Sequence, residues 1–271
     1  MEARTDEQAT PQRGLGVTAG LSAAEAEDLA RRAHDLGFHS LWSNDEPDHP
    51  GLETLARFAA SGAPIDLGVG VLPLDRNPPE RIARDIERLG LDPARLWIGI
   101  GSGPLRPPVA VVEQAIERLR TLLPSGTRIV IAAMRPRLCR LGGELADGVL
   151  LNWMPPAQAA QAREWVREGA ASAGRPAPPV ASYVRVAVGP GAADRVRAEE
   201  GFYREINEGH RKHFAALDVP LGSVGVAGDD GDEVQRGLRP YHEALDLPIA
   251  RVLAAPAAGG LLDVAGAAAP R

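Results

Sequence analysis

The chain has 271 residues, of which 44% are hydrophobic and 24% charged, a make-up that fits a folded protein with a large core and excludes a disordered or fibrous chain. A formal net charge of -6 argues against nucleic acid or an anionic membrane as partner, since both need basic patches, and leaves small molecules as the expected ligands. The single cysteine, Cys139, gives no internal disulfide.

Met1 to Arg13 is polar, carries Glu2, Arg4, Asp6 and Glu7, and lacks the apolar stretch of a secretory signal. No apolar run approaches the ~20 residues that span a bilayer. The expectation is a cytoplasmic protein with a flexible segment over 1–13 and one domain over 14–271.

From there strands and helices alternate. Leu15 to Ala19 reads as a strand, and Ser22-Ala23-Ala24-Glu25 is a capping box opening a helix with Ala26, Leu29, Ala30, Ala33 and Leu36 inward and Gly37 as its left-handed stop. Ser40 to Ser43 is the second strand, leaving through Asn44-Asp45-Glu46. A helix over about Leu52 to Ala60 precedes a third strand, Ile65 to Leu72, which contains Gly68 and Gly70. Pro78-Pro79 starts a helix with Ile82, Ile86 and Leu89 on one face. The fourth strand, Leu96 to Ile100, exits through Gly101-Ser102-Gly103-Pro104, and Val109 to Leu123 is the next helix.

Arg128 to Ile131 is a β-branched fifth strand. It runs through Met134-Arg135-Pro136 into a helix with Leu138, Leu141 and Leu145 at helical spacing, and Val149 to Leu151 follows as a strand ending on Asn152 and Trp153. Ala157 to Ala173 reads as a helix, Val180 to Val188 as a long strand, and Ala193 to Leu217 as one long charged helical segment. Ile249 to Ala254 is the last strand, and Leu261 to Ala267 a short terminal helix. About eight such alternations without a linker predict a single-domain (β/α)8 TIM barrel. The rival doubly wound sheet lacks support, because Gly20-Leu21-Ser22 is no phosphate loop.

A barrel carries its chemistry where the strands end. Asn44, Asp45, Glu46, Asp48 and His49 crowd one exit and fit either ligand binding with proton exchange or helix capping. Gly99-Ile100-Gly101-Ser102-Gly103 is too weak a pattern to signal phosphate alone. On the seventh strand Tyr183 and Arg185 share one face, which either reaches the barrel mouth or holds a buried ion pair. His210 and His213 stand three apart but amid Glu208, Arg211 and Lys212, as on a solvated face, so no metal set is expected. Asp229-Asp230-Gly231-Asp232 lacks the spacing of a calcium loop and reads as a helix entry.

The run Ala132 to Trp153, AAMRPRLCRLGGELADGVLLNW, resembles the Ala-Ala-Leu-Gly-Pro, Leu-Ala-Gly-Glu, Ala-Asp-Gly wording of the bacterial-luciferase-like oxidoreductases, whose members use FMN or a deazaflavin. The resemblance implies a reduced deazaflavin (coenzyme F420) or FMN held at the barrel mouth, passing hydride to a small organic substrate or to oxygen. The Ala-Asp-Gly-Val-Leu-Leu-Asn-Trp wording resembles the deazaflavin users most. The family also implies site residues. Asp45 falls on the aspartate of its Ser-Asp-His signature and Glu46 on the histidine, so these two are the candidate catalytic residues. Gly70-Val71 falls on a non-prolyl cis peptide or bulge behind the cofactor ring, Ser102 on a cofactor-contacting threonine with Gly103 beside it, Met134-Arg135 on a glycine near the cofactor tail, and Asn152 on a further cofactor contact.

Glu46 for histidine and Pro104 for an acid depart from the sugar-phosphate dehydrogenases of the family and count against that reaction. The short loop after Gly103 implies an open pocket. Together with Arg135 for glycine, these departures keep a degenerate, non-catalytic barrel that binds a ligand or partner as the alternative. A barrel enzyme acting on phosphorylated sugars without a flavin is a weaker third. Dimerisation is common in the family and stays open.

Overall fold

A computed structural model describes residues 12–254 and 260–271. Its elements follow in strict alternation: β1 (Gly14–Val17), α1 (Ala23–Asp35), β2 (Ser40–Ser43), α2 (Gly51–Ala60), β3 (Asp66–Pro73), α3 (Pro79–Arg88), β4 (Leu96–Gly101), α4 (Pro108–Leu122), β5 (Arg128–Ala132), α5 (Pro136–Leu145), β6 (Gly148–Asn152) and α6 (Pro156–Ser172). Then come β7 (Val180–Val188), α7 (Ala192–Glu205), α8 (Glu208–Leu217), β8 (Val226–Gly228), α9 (Gly231–Ala244), β9 (Leu247–Val252) and α10 (Leu261–Ala267). All pairings are parallel. β1 to β7 pair in sequence, and β9 pairs with both β7 and β1, so an eight-stranded barrel closes. Val186 pairs with Val252 on one side and Val226 on the other, so β8 only extends the upper edge of β7 beyond β6.

The predicted boundaries of β2, β7 and α10 are those observed. Several expectations change: the last strand is Leu247–Val252 rather than Ile249 to Ala254, and His213 is buried rather than on a solvated face. The segment 193–217 is two helices, because Asn207 interrupts it and caps α8, its Oδ1 accepting from the His210 N–H at 3.0 Å. α5 buries Cys139, Leu141, Gly142 and Gly143, whereas Leu138 and Leu145 are only half-buried. The glycines let α5 lie close to its neighbours: a Cβ on Gly142 would come within 2.3 Å of Val149 Cγ2, and one on Gly143 within 2.0 Å of the Val166 carbonyl oxygen. The Ser22–Glu25 capping box is present. Asp230 caps α9, as expected of a helix entry.

Residues 1–11 of the segment expected to be flexible lie outside the described residues. Arg13 is buried, donating to the Ala268 carbonyl at 2.6 Å and to His242 Nε2 at 2.9 Å, and so ties the start of the barrel to α9 and to the chain beyond α10.

Inside the barrel, large and small side chains alternate between strands. Trp42, Trp97, Val130, Leu150, Ala181, Tyr183, Leu247 and Ile249 form one buried cluster. Trp42 lies over Gly68, where a Cβ would sit 2.2 Å from its ring, and its Nε1 donates to Ser40 Oγ at 2.8 Å. Towards the amino ends of the strands, Asp66 receives Arg128 at 3.0 Å and the Trp97 Nε1–H at 3.0 Å. The plug is therefore packed below, and what varies is the upper layer.

Candidate active site

By two-residue alternation the inward positions nearest the carboxyl ends are Gly16 on β1, Gly70 on β3, Gly101 on β4, Ala132 on β5, Asn152 on β6, Arg185 on β7 and Arg251 on β9. The layer is lopsided. β1 and β3 to β5 present small residues, whereas β7 and β9 present long cationic ones. Gly70, Val71, Ser102, Ala132, Met134 and Asn152 are half-exposed and form the open floor of the mouth.

On that floor the Gly70–Val71 peptide is cis, and the β3–β4 register shifts between Val69 and Leu72. A Cβ on Gly70 would meet Tyr183 Oη and Leu150 Cδ2, each at 2.5 Å, so only glycine lets β3 close on the Tyr183 phenol. Burial raises the Tyr183 pKa although Arg251 and Arg185 pull it down, and the phenol stays a donor at neutral pH, its Oη 3.4 Å from the Ser43 carbonyl. Ser102 and Gly103 lie in the exit loop of β4, which reaches α4 at Pro108. Gly103 has φ +57°, a left-handed conformation that favours glycine. Met134 packs on the core, and Arg135 is an exposed residue at the start of α5 that makes no side-chain cap bond.

Asp45 and Glu46 leave β2 together but point to different work. The Asp45 carboxylate accepts from the Gly51 N–H at 2.9 Å, from Arg76 Nη2 at 2.9 Å and from Asn77 Nδ2 at 3.1 Å, joining the start of α2 to the loop after β3. Glu46 accepts from Asn44 Nδ2 at 2.7 Å through Oε1, and Asn44 in turn accepts from the Ala19 N–H. Among the described residues its Oε2 makes no hydrogen bond and is free for a ligand.

A group that sequence reasoning left scattered assembles around Arg185. Its Nη1 donates to Asn152 Oδ1, and its guanidinium lies 3.8 Å from the centre of the Trp153 ring and 5.0 Å from that of Tyr203. Trp153 adopts φ +54° and is 1% exposed, packed with Phe214 and Val224 beneath α8. His213 Nε2 donates to the Trp153 carbonyl at 2.8 Å, so α8 is pinned over the mouth. Burial lowers the pKa of His213. Burial, aided by His213 and Arg185, lowers that of His210 to about 4. These histidines serve packing, and among the described residues no group of three His, Cys, Asp or Glu side chains could hold a metal ion. Cys139 is buried, and burial lifts its thiol to about 12.

Among the described residues Arg185 forms no ion pair, the alternative that its place on the strand allowed. Burial lowers its pKa to about 10, which keeps it cationic at neutral pH. Arg251 went unnoticed in the sequence, yet Leu247, Ile249 and Arg251 follow the two-residue alternation that would have placed it inside. Trp153 Nε1, Arg185 Nε and Arg251 Nη1 are buried without a hydrogen-bond partner among the described residues. Donors orphaned in this way at one end of a barrel can be satisfied by a polar ligand or by water.

Residues 111–255 match the model of a family described as luciferase-like monooxygenase. Among solved structures, the chain is similar to an F420-dependent secondary alcohol dehydrogenase in complex with an F420-acetone adduct, with TM-score 0.71 and 15% identity over 89% of this chain and 93% of that one. It is similar to the coenzyme F420 dependent tetrahydromethanopterin reductase from Methanopyrus kandleri, with TM-score 0.71 and 19% identity over 95% of this chain and 98% of that one. A third is the oxygenating constituent of 3,6-diketocamphane monooxygenase from Pseudomonas putida, in complex with FMN, with TM-score 0.63 and 15% identity over 89% and 92% of the two chains. At these identities the likeness is one of fold.

Proposed function

This chain belongs to the luciferase-like monooxygenase family, and from that premise we propose that it is an oxidoreductase holding a reduced deazaflavin or FMN on the floor of the barrel mouth, for use on a small organic substrate. The observation that carries this reading is the lopsided upper layer. Gly70, Val71, Gly101 and Ala132 offer a small, largely apolar bed on β3 to β5, while the half-exposed amide of Asn152 stands beside it on β6. A flat ring with a polar edge fits that combination. The group supplies the electron pair when bound, and the protein supplies binding, orientation and exclusion of water.

In this assignment Gly70-Val71 backs the ring, and Asn152, steadied by Arg185, orients it. Ser102 and Gly103 border the ring from β4. Met134 and Arg135 stand at the uncapped start of α5, where free backbone N–H groups and the Arg135 charge suit the phosphate of a cofactor tail. Glu46, with an unengaged oxygen, is the candidate for proton exchange with the substrate, and Asp45 holds the loop that carries it.

Titration with FMN, and separately with oxidised and reduced deazaflavin, followed by absorbance and fluorescence, tests the reading. Saturable binding of one cofactor is expected, weakened about tenfold, or ~1.4 kcal/mol, by Asn152→Ala and by Ser102→Ala. Binding of none would sink it in favour of a barrel that has lost redox chemistry.

A further inference from the structure

The barrel treats its buried arginines unequally. Arg128, inward on β5 towards the amino ends, is neutralised by Asp66 at 3.0 Å and lies 4.4 Å over the Trp97 ring. At the other end Arg185 and Arg251 are register partners on adjacent strands, and only 3% and 6% of their surfaces are exposed. Among the described residues neither makes an ion pair. Arg185 has one neutral acceptor, Asn152 Oδ1, and two aromatic faces. Glu199 on α7 favours its charge from a distance without touching it. Among the described residues Arg251 has only the Tyr183 ring, at 6.0 Å.

A guanidinium stays protonated, so burial cannot be relieved by losing the proton. Two unneutralised cations on adjacent strands, near enough for Arg251 to depress the Arg185 pKa, are costly in a poorly solvated place unless an anion joins them. The same low polarisability makes such an anion bind strongly. Trp153 and Tyr203 cover Arg185, with Phe214 packed behind Trp153, and leave it 3% exposed.

We propose that Arg185 and Arg251 together receive an oxyanion, a carboxylate or phosphate group, carried by the substrate. The pairing order β1 to β7 and then β9 sets β7 across the barrel from β3, and β9 across from β4. The pair therefore faces the Gly70-Val71 and Gly101-Ser102 floor assigned above to the cofactor. An anchored anionic group would hold the rest of the substrate between the two. That the anion belongs to a substrate rests on the oxidoreductase reading. The oxyanion receptor itself does not.

The test titrates the full chain with acetate in one arm and inorganic phosphate in the other, each against chloride at equal ionic strength, with and without the cofactor that binds. The readouts are tryptophan fluorescence, to which Trp153 on Arg185 contributes, and thermal shift. One anion should saturate the wild type, and Arg251→Gln and Arg185→Gln should weaken it about tenfold or more, with partial rescue in Arg251→Lys. The arm that saturates identifies the class as carboxylate or phosphate. Circular dichroism checks that each variant is folded, and Arg251→Lys, which keeps the charge, carries the test if a glutamine variant fails to fold. Anion binding without any cofactor binding would uphold the receptor and sink the oxidoreductase reading. The proposal is overturned if neither anion saturates, if the variants bind anions as the wild type does, or if Arg251→Gln abolishes cofactor binding, which would make the pair a cofactor contact.

Discussion

Asp45 and Glu46 are neighbours with opposite surroundings, and the difference decides what each can do. The Asp45 side chain is 6% exposed and has three donors fixed on it, whereas Glu46 keeps an oxygen unengaged. Asp45→Asn would turn an amide towards donors and leave Arg76 without its carboxylate. We expect a loss of about 2 kcal/mol in urea unfolding, because a nearly buried charged bond is broken while Arg76 keeps some access to water. Unchanged stability with abolished turnover would instead identify Asp45 as a group acting on the substrate. Sequence alone left capping and chemistry level at this loop, because two of its three donors, Arg76 and Asn77, lie 31 and 32 residues away.

The elements that frame the mouth depend on two helices touching backbone to backbone. A Cβ on Gly143 of α5 would lie 2.0 Å from the Val166 carbonyl oxygen of α6, and one on Gly169 of α6 would lie 2.0 Å from the Arg140 carbonyl oxygen of α5. Neither contact is with a side chain that can swing away, so the helices must part. Gly169→Ala should cost about 1–3 kcal/mol by thermal or chemical unfolding. Because Arg135 stands immediately before α5, the same variant should weaken cofactor binding without altering a residue of the mouth. The leucine pattern of α5 suggested a leucine face. Close packing chose glycine instead, since the space between α5 and α6 is too narrow for larger groups.

For the molecule as a whole, acid acts through histidines that the fold keeps neutral. Burial, helped by Arg13, lowers His242 to about 4, and burial, helped by His213 and Arg185, brings His210 to the same value. His242 accepts from Arg13, which also holds the carbonyls of Ala268 and Ala269. With folded values below the ordinary 6.5, the unfolded chain binds more protons between about 4 and 6.5. Stability from these groups is therefore complete above 6.5 and lost as pH falls towards 4. Melting temperature should drop over that range, and His242→Gln should flatten the drop. An unchanged slope in His242→Gln would show that His242 does not contribute. No described helix is long and apolar enough to cross a membrane.

Local pattern by itself determined the alternation of strands and helices, the capping box at Ser22, the bounds of β2, β7 and α10, and hence the barrel, because periodicity and turn chemistry act over a few residues. It also located the strand exits where a site belongs. It did not reveal β8, whose three residues are too few to show a period, nor the break at Asn207, where helical residues flank a capping side chain on both sides. Only the tertiary structure decided that Asp45 is engaged by donors from two other segments, that Trp153 shields Arg185 beneath α8, and that Arg185 and Arg251 fall in register with no carboxylate on either among the described residues. Those outcomes depend on which strands become neighbours when the barrel closes, and closure joins residues as far apart as Gly16 and Arg251, a separation over which no sequence period extends.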